Sequence, residues 1–165
     1  MATATQVLVE EYLESVYEPE CEYLDGDLVP RNIGLLDHSL AQRALLFSLA
    51  SREKELGILV LPSQTIKLSP TRYLIPDLVI LQGSEPDEQI LTAPPLVCIE
   101  VLSIEDRTGP VLRKIAAYLD FGVRYVWILD TTARQALVFT AEGMAIAGQS
   151  LRAEHIEVPL NEIFD

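Results

Sequence analysis

The segment from Leu96 to Leu129 constrains the fold more than any other part of the chain. Leu96 to Leu102, LVCIEVL, is a short apolar run interrupted by one acid, and Tyr125 to Leu129, YVWIL, is a second apolar run. Between them, Pro110 to Phe121 spaces Leu112, Ile115, Ala116 and Leu119 three or four residues apart. Proline suits the first turn of a helix, and Gly122 is placed to end it. Two strands joined through a helix run parallel, and the crossover is right-handed. The segment therefore predicts a β-α-β unit.

The rest of the chain supplies a second long helix and more strands. Thr5 to Val16 alternates apolar and acidic positions at helical spacing, and Asp25-Gly26 between Tyr23-Leu24 and Leu28-Val29 signals a hairpin over Cys21 to Val29. Asp37 is a candidate N-cap for a helix from Ser39 to Leu56, with Leu40, Ala44, Phe47 and Ala50 as its stripe and Gly57 as its end. Ile58 to Leu61, Gln64 to Leu68 and Asp77 to Leu81 read, with Leu96 to Leu102, as successive strands of one sheet, followed by strands at Tyr125 to Leu129 and Gln135 to Thr140 and a helical turn over Pro159 to Phe164. Gln82 to Pro95 is the long irregular stretch. The expectation is an α/β (α+β) fold, a mixed sheet covered by two long helices, forming a single domain over residues 1–165. At 165 residues such a domain buries about two-thirds of its unfolded surface.

Composition narrows the setting. An apolar fraction of 49% with 22% charged residues excludes a disordered chain. Two cysteines, Cys21 and Cys98, lack metal or redox spacing, which fits a reducing compartment. With no basic, apolar leader and no apolar run near the roughly 20 residues a membrane helix needs, a soluble cytoplasmic protein without membrane contact is expected. Charge runs against a nucleic-acid partner: 12 Lys and Arg face 25 Asp and Glu, a net of −13, and residues 1 to 38 hold nine acids with Arg31 as the one base. Such a field repels phosphate at long range. Local patches and an acidic metal cleft remain compatible with it.

Two acids stand out. Asp77 follows Pro76 at the mouth of a strand, and Glu100 lies inside LVCIEVL, where a carboxylate is costly unless paired or exposed. Alternation puts Cys98, Glu100 and Leu102 on one face of that strand and Val97, Ile99 and Val101 on the other. With the Val101 carbonyl, Asp77 and Glu100 would offer the oxygen ligands preferred by Mg²⁺ or Mn²⁺. The bland reading competes: Pro-Asp is common turn chemistry, and an arginine partner would equally explain Glu100.

The segments IPDLVIL, PPLVCIEVLS and KIAAYLDFGVRYVWILD, with the hairpin EYLDGDLV and the helix HSLAQRALLFSLA, together resemble the Uma-type (Uma two) restriction endonucleases of the PD-(D/E)XK nuclease superfamily. The resemblance spans most of the chain. It implies a restriction-endonuclease-like fold and a metal-dependent endonuclease acting on phosphodiester bonds, with nucleic acid, foremost DNA, as substrate. Asp77 and Glu100 match the metal-binding acids, and Lys114 matches a helix lysine. Glu22 matches an N-terminal glutamate and His38 a histidine opening the first long helix, while Gln64 is expected on a strand beside Asp77. Two departures stand out: Leu102 occupies the place of the in-line lysine of the parent pattern, and Pro110 stands where many members carry Asp, a role for which Asp106 is the candidate substitute. Arg72, Arg107, Arg113, Lys114 and Arg124 are the candidates for a basic rim. Two other readings stay open, a degenerate nuclease fold that binds without cutting, and an acidic oligomeric scaffold or homodimer using Trp127 and the late strands.

Overall fold

The computed structural model describes residues 6–32 and 34–165. Its chain order is α1 (Val9–Glu14), β1 (Cys21–Leu24), β2 (Asp27–Pro30), α2 (Leu36–Ala50), α3 (Glu53–Leu56), β3 (Ile58–Pro62), β4 (Ile66–Ser69), β5 (Arg72–Leu74) and β6 (Leu78–Gln82). It continues with β7 (Val97–Leu102), α4 (Thr108–Phe121), β8 (Tyr125–Asp130), β9 (Gln135–Thr140), β10 (Gly143–Ile146), β11 (Ser150–Ala153), β12 (Ile156–Pro159) and α5 (Asn161–Phe164). The fold is mixed α/β. No helix among the described residues is long and apolar enough to cross a membrane.

The predicted β-α-β unit is present. β7 and β8 pair in parallel from Val97↔Tyr125 to Leu102↔Asp130, and α4 connects them. They form the centre of a six-stranded sheet ordered β10-β9-β8-β7-β6-β3, whose other pairings are antiparallel. The expectation of one sheet is corrected: β4 and β5 join the β1-β2 hairpin in a separate sheet, β2-β1-β5-β4, and β11-β12 is a third, two-stranded one.

Strand alternation divides the core in two. Val97, Ile99, Val101, Trp127 and Leu129 face α2 through Ala41, Leu45 and Leu49, and β11-β12 completes that side with Leu151 and Ile156. On the opposite face Val79, Cys98, Val126 and Ile128 meet Ile115 and Tyr118 of α4 and Ile66 and Leu74 of the smaller sheet. Both long helices thus cover the sheet, one on each face.

Several helix details differ from expectation. The short N-terminal helix spans Val9–Glu14, and Thr5 lies outside the described residues. α2 begins at Leu36, so Asp37 sits inside the first turn, where an acid suits the helix dipole, and Leu35 takes the capping position. The helix stops at Ala50, where the Arg52 N–H turns to the Leu49 carbonyl and the freed Ser48 carbonyl accepts from Ser51 Oγ and Arg52 Nε, and α3 restarts before Gly57, left-handed at φ 65°. Its buried stripe is Ala41, Leu45 and Leu49, whereas Leu40 and Phe47 are exposed, since a helix apolar on most sides offers two stripes and the sheet takes one. In α4 the inward face is Ile115 and Tyr118 with Val111 and Lys114, and Leu112 is exposed. That one-residue rotation follows from polar contacts made by Lys114 and Tyr118.

Candidate active site

Asp77 immediately precedes β6, and the Leu78↔Ile99 pairing sets it opposite Glu100 of β7. Leu78 and Ile99 point to the α2 side, so their neighbours Asp77 and Glu100 emerge on the side covered by α4. There the helix presents Lys114 and Tyr118, one turn apart on the same face. Lys114 Nζ lies 2.8 Å from Glu100 Oε1, and the Tyr118 hydroxyl donates to the same oxygen at 2.6 Å. Glu22 arrives from β1, held in place by the β1-β5 pairing; its Oε1 accepts the Ile75 N–H at 2.8 Å and meets Lys114 Nζ, also at 2.8 Å. One ammonium therefore bridges two carboxylates from two different sheets.

Asp77 is the second focus, and it is buried. Its Oδ2 accepts the Val101 N–H at 2.7 Å and stands 3.2 Å from His38 Nε2, while its Oδ1 accepts from Arg31 Nη2 at 3.0 Å. Arg31 also pairs with Glu20 at 2.6 Å, and Gln42 of α2 donates to the Asp77 carbonyl at 3.0 Å. His38 Nδ1 is buried with no partner among the described residues.

These surroundings separate the two acids electrostatically. Burial pushes Glu100 up to about 7, with Asp77 and Glu22 adding to the rise and Lys114 opposing it. For Asp77 burial also works upward, but the His38 contact, the Val101 N–H and Arg31 outweigh it and hold the carboxyl below its usual range. The bond to Asp77 raises His38 against the opposing effect of burial. Lys114 is likewise raised, because Glu100 and Glu22 outweigh desolvation.

Glu20, Glu22, Arg31, His38, Gln42, Asp77, Glu100, Val101 and Lys114 line one cleft of about 660 Å³, with Tyr118 buried behind it. Asp77, Glu100, Lys114, Glu22 and His38, expected together from the sequence, converge there, and Val101 and Leu102 lie beside them. Gln64 does not converge. It precedes β4, in the other sheet, and its amide donates to the Thr65 and Gln89 carbonyls, so the expectation that it neighbours Asp77 is corrected. Asp106 reaches the cleft as a loop organiser, accepting from the Ser103 N–H and from Asn32. The basic candidates divide: Arg72, Arg113 and Lys114 line the cleft, Arg107 is exposed outside its lining, and Arg124 pairs with Glu154 at the opposite end of β8.

Two residues escaped the sequence reading. Arg31 was visible as the lone base in an acidic segment, a placement that calls for acidic partners. Tyr118 was detectable four residues after Lys114.

The donor set can be tested against a divalent ion by counting lone pairs. Oε1 of Glu100 and of Glu22 each serve two donors, but no donor among the described residues reaches either Oε2. Asp77 Oδ2 is likewise filled, and Oδ1, accepting once, keeps one lone pair. Among the described residues no three His, Cys, Asp or Glu side chains form a ready ion cage. Mg²⁺ needs none, being held by one or two carboxylates with water and substrate oxygens. Asp77 and Glu100 fit that requirement.

Comparison with known proteins gives a family and a fold. The family model Uma2, described as putative restriction endonuclease, matches residues 9–163. A crystal structure of a putative nuclease belonging to DUF820 from Anabaena variabilis ATCC 29413 superposes with a TM-score of 0.82 at 17% identity, covering 96% of this chain and 97% of that one. A cryo-EM structure of a DrdV–DNA complex gives a TM-score of 0.44 at 14% identity over 73% of this chain and 10% of that one. No curated protein matches.

Proposed function

The chain belongs to the Uma2 family of restriction-endonuclease-like proteins, and from that premise we propose that it is a divalent-metal-dependent nuclease hydrolysing phosphodiester bonds in DNA, with Asp77, Glu100 and Lys114 at its centre. The observation that carries this reading is the meeting of two strand-end carboxylates and a helix lysine, drawn from distant parts of the sequence, in one cleft. When bound, Mg²⁺ or Mn²⁺ would acidify a water and offset charge developing on the phosphate.

The chain's own residues supply the rest. Glu100 Oε2 and the lone pair that Asp77 Oδ1 keeps beside its bond from Arg31 would hold the ion. Arg31, His38 and the Val101 N–H fix the Asp77 carboxylate, and Tyr118 fixes that of Glu100. Lys114 stands where it can stabilise a pentacoordinate phosphate, the task left open by Leu102. Glu22 shares Lys114 with Glu100 and so holds its ammonium over the strand ends.

Charge opposes a phosphate partner less at the cleft than over the chain as a whole. The cleft lining holds four of the 12 Lys and Arg, Arg31, Arg72, Arg113 and Lys114, but only five of the 25 acids. A bound divalent ion would tip that balance positive.

Thermal unfolding with and without Mn²⁺, paired with plasmid nicking, tests the proposal on wild type and the Asp77→Ala, Glu100→Ala double variant. A Mn²⁺-induced rise in Tm together with nicking, both absent in the variant, is expected. If the wild type ignores Mn²⁺ in both assays, the carboxylates are structural. One observation favours the second reading, a nuclease fold that binds without cutting: each of the three carboxylates already has a cationic partner. Nucleic-acid binding without cleavage or a Mn²⁺ effect would establish it.

A further inference from the structure

Beside its carboxylates and cations the cleft lining has an apolar wall, formed by Leu24 of β1, Leu68 of β4, and Val111 and Ala117 of α4, half-buried residues that pack against the core beneath α4. Val111 and Ala117 lie three residues before and after Lys114, about 4.5 Å along the helix axis on either side of it. Val29, 37% exposed, stands at the rim.

The volume of about 660 Å³ lies in the range that encloses a small molecule, about 300–1,000 Å³, the size class of a nucleotide. Cations for a longer backbone track are scarce. Outside the cleft Arg124, Arg134 and Arg152 are each turned to a carboxylate of their own, which leaves Arg31, Arg72, Arg113 and Lys114 of the lining as the cations gathered in one place. A protein that grips duplex along its backbone commits about 6–10 phosphate contacts. Stacked, paired bases also cannot reach an apolar pocket wall, whereas an unpaired base can leave the stack and cover it.

Resting on the nuclease reading above, we infer that the cleft receives one unpaired nucleotide, its phosphate at Lys114 and Arg31 and its base against Leu24, Leu68, Val111 and Ala117. The preferred substrate is then a single strand, a gap or an extruded nucleotide, and continuous duplex is a poor one.

The test compares a fluorescein-labelled single strand, the same strand in a blunt duplex, and that duplex with a central gap. Anisotropy is read in Ca²⁺ and cleavage in Mn²⁺. Single-stranded and gapped substrates are expected to bind and be cut at least about tenfold better, the fold-change from burying one base. Ala117→Leu, which fills the apolar wall, should reduce that preference severalfold while keeping the wild-type Mn²⁺ shift in Tm. Val111→Asn, a near-isosteric change at a half-buried position of the same wall, should do the same and covers the case in which Ala117→Leu misfolds. Equal binding and cutting of blunt duplex overturns the inference and leaves the nuclease reading standing. Absence of binding, cutting and any Mn²⁺ shift overturns both.

Discussion

Lys114→Met is the most informative single substitution, because one ammonium bridges Glu22 and Glu100 at 2.8 Å each and its side chain keeps only 22% of its surface accessible. At an effective dielectric of about 20, each pair contributes an attraction of ~6 kcal/mol, much of it offset by desolvation. Removing one partner of a buried pair destabilises by about 3–5 kcal/mol, since the remaining charge is left uncompensated. In a chain of this size that corresponds to a fall in Tm of roughly 6–20 °C. The loss should depend on pH. Glu100 is raised from 4.5 to about 7 in the folded state, so its contribution to stability is fully present below 4.5 and lost as pH rises through about 7. Without Lys114 the carboxyl moves higher still, so the deficit of the variant should be large at pH 8 and shrink at pH 6, where Glu100 holds its proton. Calorimetry or circular dichroism of both proteins in EDTA at the two pH values measures this. A loss under about 1 kcal/mol, or one equal at both pH values, would refute the bridging geometry.

Trp127 is fully buried against α2, and Trp127→Ala should cost about 3–5 kcal/mol in urea unfolding, with the wild-type emission blue-shifted until the transition. Gly122 ends α4 at φ 110°, and a Cβ there would meet Pro94 Cγ at 3.3 Å, so Gly122→Ala should lower stability by about 1–2 kcal/mol; no measurable change would argue against the left-handed cap. Gln64→Ala removes two loop hydrogen bonds and should cost no more than about 1–2 kcal/mol, leaving any Mn²⁺ effect on Tm unaltered. If Arg31 and Lys114 are the cations that meet phosphate, log K against log salt for a single strand should have a slope of about −1. A slope of −6 or steeper would reveal a longer track.

What the sequence disclosed was local. The β-α-β unit was legible because two apolar runs flank an amphipathic helix bounded by Pro110 and Gly122, and the hairpin because Asp25-Gly26 satisfies its turn, with Asp25 at φ 52° and Gly26 at φ 101°. Asp77 and Glu100 were legible because acids in apolar strands need partners. Partnership between strands was not. Ile66–Ser69 resembles any short apolar strand, and only the β1-β5 pairing draws it into the second sheet, taking Gln64 away from Asp77. β11 and β12 were hidden because their turn uses Glu154 at φ 54° in place of glycine or asparagine. The inward face of α4 was misjudged because Lys114 and Tyr118 are polar at their tips, yet their stems and ring pack inward while the tips reach Glu100.

The same distinction explains the net charge. A count of −13 averages over the whole surface, but a charge acts in water mainly within a Debye length of about 8 Å at physiological salt. The nine acids of residues 1 to 38 do not act as one block. Glu22 and Glu20 are turned into the cleft, where Lys114 and Arg31 meet them, and Asp25 is spent on Arg72. Arg31, alone in that segment, crosses to Asp77 and joins the N-terminal hairpin to the strand ends. The acidity that seemed to exclude a phosphate partner thus has two components. Distant acids are screened, and those at the cleft hold the cations that a phosphate would meet.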